Sequence, residues 1–127
     1  MEIYKKQRKQ AHVYAYARKR IKQSGNKHRK QRGVMRESYI EKRFCTEAKK
    51  RGMWAVKFVS PGLSGVPDRL LLIPGGRVAF AELKAPGGRL RPIQERRKAQ
   101  LEKLGFTVYV IDSIDSIGGI LDEIQST

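Results

Sequence analysis

Asp68-Arg69-Leu70-Leu71-Leu72-Ile73-Pro74-Gly75-Gly76-Arg77-Val78-Ala79-Phe80-Ala81-Glu82-Leu83-Lys84 is the stretch on which the fold turns. Two apolar runs of strand length flank a Pro-Gly-Gly-Arg turn, so the segment predicts two antiparallel strands joined by a tight loop. Asp68 opens the first run and Glu82 lies near the end of the second, fourteen positions on. Folding back at the turn brings the two acids together. Lys84 follows Glu82 by two and therefore shares its face of the strand.

The neighbouring sequence aims these residues. Ser60-Pro61-Gly62-Leu63-Ser64-Gly65-Val66-Pro67 is rich in turn formers and precedes Asp68. Pro67 pushes Val66 out of the α region, and Gly62 and Gly65 permit sharp turns. Asp68 is thereby set at the mouth of a rigid strand, where a metal ligand needs to be. Glu82 stands among Phe80, Ala81 and Leu83, and a charge embedded in an apolar run requires a partner. Asp68, Glu82 and the Leu83 backbone carbonyl offer an oxygen half-shell suited to Mg²⁺ or Mn²⁺, with positions left for water and phosphate oxygens. Lys84 is placed to orient or deprotonate an attacking water, or to stabilise charge developing on phosphorus. The alternative is a turn acid at 68 and a solvated Glu-Lys pair on a strand edge. It suits an isolated Glu-x-Lys better than one joined to Pro-Asp at hairpin distance.

Working outward, Ile40, Phe44, Cys45 and Ala48 recur at helical spacing between Glu37 and Arg51, with Gly52 as a stop. Trp54 to Val59 alternates as a strand does. Beyond a second glycine loop (Ala85 to Arg89), a helix is expected from about Pro92 to Leu104. A strand over Thr107–Ile111 follows, then a last helix from Ser113 or Ser116 to Gln125. The order α, β, β, β, α, β, α predicts an α/β fold with a mixed central sheet flanked by helices.

The chain of 127 residues carries 28 Lys and Arg against 12 Asp and Glu, a formal net charge of +16. Such a balance favours a polyanionic partner and strong salt dependence. No run approaches the roughly 18 apolar residues of a membrane helix, and no secretory apolar core is present near residue 1. A single cysteine, Cys45, leaves no internal disulfide and points to a reducing, cytoplasmic setting. His12 and His28 belong to no recognisable constellation. The charge is uneven: residues 1–34 hold 12 Lys and Arg and one acid, and residues 35–127 hold 16 against 11. We therefore divide the chain into a basic N-terminal extension, 1–34, and a domain, 35–127. The extension is either a phosphate-gripping arm, with a helix around Tyr14 and Tyr16 ended by Ser24-Gly25-Asn26, or a disordered or poorly packed tail.

Pro67-Asp68 followed by Glu82-Leu83-Lys84 resembles the signature of the PD-(D/E)XK nuclease superfamily. More narrowly, Met35 to Ile124 resembles the virus-type replication-repair nuclease (VRR-NUC) domain in its small stand-alone phage and bacterial form. The likeness extends to Glu41 in the first helix, Lys57 to Gly62, Ala81 to Gly88, Arg91-Pro92-Ile93-Gln94 and Leu104 to Val110. It implies a restriction-endonuclease-like core and a divalent-metal-dependent nuclease, with Asp68 and Glu82 as ligands and Lys84 as the catalytic lysine. A first-helix glutamate, Glu41 with Glu37 in reserve, would complete the site, and Gln94 would face it from a helix start. Read as residues alone, Glu41 also suits a surface acid paired with lysines, and Gln94 an exposed helix position.

The resemblance further implies a structure-selective DNA endonuclease akin to Holliday-junction resolvases, in a bacterial or phage-infected cell. Paired incisions need two active centres, so a symmetric homodimer is expected, with Met53, Trp54 and Phe106 as interface or core candidates. Ser60, Arg89, Arg91, Arg96 and Lys98 are the candidate DNA contacts, although a solvated helix face explains the last two equally well. Flaps, nicks and duplex ends are alternative substrates. A non-catalytic basic nucleic-acid-binding protein is the competing class, disfavoured by acids placed in apolar strands.

Overall fold

The computed structural model describes residues 35–127, and the expectations for residues 1–34 lie outside them. The elements are α1 (Glu37–Lys50), β1 (Trp54–Lys57), β2 (Arg69–Ile73), β3 (Arg77–Leu83), α2 (Pro92–Lys103), β4 (Val108–Ile111) and α3 (Ile117–Ser126). This is the expected order, with each boundary within a few residues. The strands form one mixed sheet in the order β1-β2-β3-β4. β1, β2 and β3 pair antiparallel, and β4 lies parallel to β3. A parallel pair cannot be closed by a tight turn, so β3 and β4 are joined by a helical crossover, which is α2.

The β2–β3 hairpin is closed by the three residues Pro74, Gly75 and Gly76, with Ile73 opposite Arg77. Both glycines have positive φ (88° and 75°), which side chains with a Cβ rarely adopt. Turn chemistry thus fixes the register of every rung behind it.

Because strand side chains alternate, the sheet has two different faces. Leu71, Ile73, Ala79, Ala81, Leu83 and Ile111 point to one face and are buried. Ile40, Phe44 and Ala48 of α1 and Ile117, Ile120, Leu121 and Ile124 of α3 supply buried apolar stripes for the core. Arg51 joins these two helices by donating from Nε and Nη2 to Asp122 Oδ1 (3.1 and 2.9 Å). The opposite face is only partly covered. Leu72 and Val78 are 38% and 39% exposed, although the apolar run reads as a fully buried strand. Trp54, opposite Leu72, is 66% exposed. Met53 belongs to the core, whereas Phe106 sits half-exposed with its ring edge-on to Phe80, centroids 5.4 Å apart. Among the described residues no helix is long and apolar enough to cross a membrane.

Candidate active site

Extending the β2–β3 register by one place beyond Arg69–Ala81 sets Asp68 directly across from Glu82. Opposed positions bring side chains within contact distance. Asp68 is tied on both sides. Its carbonyl accepts from the Phe58 amide (2.9 Å), and its Oδ2 accepts from the Leu83 amide (2.9 Å). Pro67, just before it, is buried.

Glu82 is 3% exposed. Phe58 and Phe80 meet at a tilt of 51° with centroids 5.5 Å apart, and Phe80 meets Phe106 edge-on, giving an aromatic cluster on the same sheet face. Burial, the adjoining Asp68 charge and a hydrogen-bonding contact with Asp68 raise the Glu82 carboxyl to about 7, against a smaller lowering by Lys84. Two carboxylates in contact are mutually repelling, and a cation between them removes that cost.

Lys84 leans back toward the pair. Its Nζ lies 3.6 Å from Glu82 Oε1 and donates to Gln94 Oε1 at 2.9 Å. Gln94 is buried and fully engaged: Oε1 also accepts from the Arg91 amide (2.9 Å), and Nε2 donates to Glu82 Oε1 (2.8 Å). The Arg91 bond is half of a capping box, in which the third helical residue reaches back to the first turn's orphan amide. Two donors on Oε1 fix the amide orientation, so Nε2 must face Glu82. Gln94 therefore caps α2 and holds the site with one side chain. Its position follows from topology: the crossover leaves the end of β3 directly below the α2 N-terminus.

Glu41 is brought to a different partner. Arg69 donates from Nε to Glu41 Oε1 (2.8 Å) and from Nη1 to the Ala55 carbonyl (3.2 Å). Arg69 and Asp68 are consecutive and point to opposite faces, so Glu41 supports β2 from the α1 side. Among the described residues no group of three His, Cys, Asp or Glu side chains forms a metal cage. Arg89, Arg91 and Arg96 are exposed, Ser60 is half-buried, and Lys98 is paired with Glu102. Missed in the sequence were the clamps from Arg69 to Glu41 and from Arg97 Nε to the Ser64 carbonyl (2.7 Å). Long-range partners of arginines leave no local signal.

Comparison with known proteins points to one family. The VRR-NUC domain family model matches residues 14–115, beginning ahead of Met35. A protein of Acyrthosiphon pisum secondary endosymbiont phage 1, "Putative nuclease p44", is 50% identical over 82 residues, 65% of this chain and 88% of that protein. A solved structure described as a VRR_NUC domain superposes with a TM-score of 0.64 at 26% identity, covering 68% of this chain and 94% of the other. With its mixed sheet, its Asp68–Glu82 pair and this extent of likeness, the chain belongs to the VRR-NUC family of nucleases.

Proposed function

We propose that the protein is a divalent-metal-dependent, structure-selective DNA endonuclease, akin to a Holliday-junction resolvase and working as a homodimer in the cytoplasm of a bacterial or phage-infected cell. The observation that carries this reading is the Asp68–Glu82 pair, set opposite each other across β2 and β3, with Glu82 buried and the Asp68 charge helping to raise its carboxyl to about 7. The donor set fits Mg²⁺ or Mn²⁺: two carboxylates are the complement such ions take from proteins. A strand residue presents its N–H and C=O on one side, and the Leu83 amide faces Asp68. The Leu83 carbonyl on that side would be the third protein donor. A bound ion would supply Lewis-acid polarisation of the scissile phosphate and a more acidic water.

The chain's own residues do the rest. Lys84, steadied by Gln94, presents its ammonium beside Glu82 and stabilises negative charge there. Gln94 keeps Glu82 turned toward Asp68. Glu41 acts through Arg69 on the strand behind Asp68. Arg89, Arg91 and Arg96 meet phosphates, with Ser60 at the loop and Lys98 once freed from Glu102. The test is cleavage of labelled four-way junction, flap, nicked and plain duplex DNA with Mg²⁺ or Mn²⁺ and with EDTA. Metal-dependent cutting with a preference for the junction is expected. Binding without cutting of any substrate would favour the non-catalytic class.

A further inference from the structure

Asp68 and Glu82 arrive by different routes. Glu82 sits inside a seven-residue strand with a neighbour on each side. Asp68 is the first residue after the loop Ser60–Pro67, whose prolines and glycines leave few backbone bonds to hold it. Two contacts hold that loop to α2. Gly65 has φ of 77°, and a Cβ there would lie 2.7 Å from Ile93 Cγ1 and 2.8 Å from the Ile93 carbonyl oxygen. Arg97 donates from Nε to the Ser64 carbonyl at 2.7 Å, while its Nη1 donates to Gln100 Oε1 at 2.9 Å.

Ile93 and Arg97 are four apart and share one side of α2. Gln94, next to Ile93, holds Glu82 and Lys84. One helix therefore sets both halves of the site, through Gln94 on one side and through the loop on the other. Resting on the nuclease reading above, we propose that Arg97 is a positioning residue for Asp68, acting through the Ser64 carbonyl, and is not a phosphate contact. A half-buried guanidinium with two donors committed to the protein's own acceptors, Ser64 and Gln100, is unlike the exposed Arg96 beside it. Charge-assisted bonds of this kind are short and directional, and a ligand's supporting partners commonly govern metal affinity about 10–100-fold.

The experiment uses the full chain with Arg97→Met, Arg97→Lys and, at the loop's other contact with α2, Gly65→Ala. Three quantities are measured: amide hydrogen exchange at Gly65, Val66 and Asp68 in EDTA, Mn²⁺ affinity without DNA, and binding of labelled junction DNA in EDTA across salt concentrations. Arg97→Met is expected to speed exchange in the loop and lower Mn²⁺ affinity about 10-fold or more, with DNA affinity and its salt slope unchanged. Arg97→Lys recovers part of the loss by donating to the same carbonyl, and Gly65→Ala shifts exchange and Mn²⁺ affinity in the same direction as Arg97→Met. Wild-type exchange and Mn²⁺ affinity in the Arg97 variants would overturn the proposal, as would a salt slope reduced by about one with metal binding intact, the mark of a phosphate contact. Asp68→Asn separates the two levels: if it binds Mn²⁺ as wild type does, the metal-site reading fails, and loop exchange alone decides the role of Arg97.

Discussion

The two faces of the sheet are built to different ends. The face under α1 and α3 is closed by aliphatic side chains, with Leu71, Ala81, Leu83 and Ile111 completely buried. The other face changes along its length, from exposed Trp54, Leu72 and Val78 to the buried Glu82 under α2. Consecutive residues divide between them: Leu83 fills the core while Glu82 and Lys84 face the site. Stability and chemistry thus come from the same strand with alternating residues, and a change on one face should leave the other's property largely intact.

That separation can be broken most severely from the closed face. Phe44→Ala removes a fully buried ring and is expected to cost about 3–5 kcal/mol of stability in urea unfolding. Next is Gln94→Leu, which leaves Lys84, Glu82 and the Arg91 amide without their shared partner. Cleavage should fall about 10–100-fold, while stability drops by about 1 kcal/mol from the lost cap. Cleavage equal to wild type would show that Gln94 serves the helix alone.

Stability should also depend on pH. The folded protein holds the Glu82 proton more tightly than the unfolded chain, because its carboxyl is raised from 4.5 to about 7. The contribution of this group to stability is therefore fully present below about 4.5 and is lost as pH rises through about 7. Urea midpoints in EDTA between pH 5 and 8 should fall for wild type, and Glu82→Gln should lessen the slope. Least of all, Trp54→Ala on the open face is expected to change stability by about 0.5 kcal/mol or less; a larger loss would mean that this face is covered in solution.

The fold is legible in the sequence because its signals are local. The Pro74–Gly76 turn fixes the hairpin, and the i, i+2 relation alone puts Glu82 and Lys84 on one face. The Ile40, Phe44, Ala48 spacing gives the core side of α1. What periodicity does not reveal is which sheet face a helix will cover, so Leu72 reads as buried when only half of its face is roofed. Nor does it reveal distant partners. The resemblance places Glu41 in the site, and nothing in the local sequence reveals its partner Arg69, twenty-eight residues on. Gln94 faces the site only by the resemblance, since read alone it suits an exposed helix position, and its task as a cap emerges only with the helix boundary.

On the function proposed above, Asp68 and Glu82 together hold the divalent ion required for DNA cleavage. The direct measurement is cleavage of a labelled four-way junction by Asp68→Asn and Glu82→Gln in Mg²⁺, alongside binding of the same junction in EDTA. Both variants are expected to bind as wild type does and to lose cutting by several orders of magnitude, since metal-assisted charge stabilisation is worth several kcal/mol. Wild-type cutting rates in either purified variant would contradict the assignment.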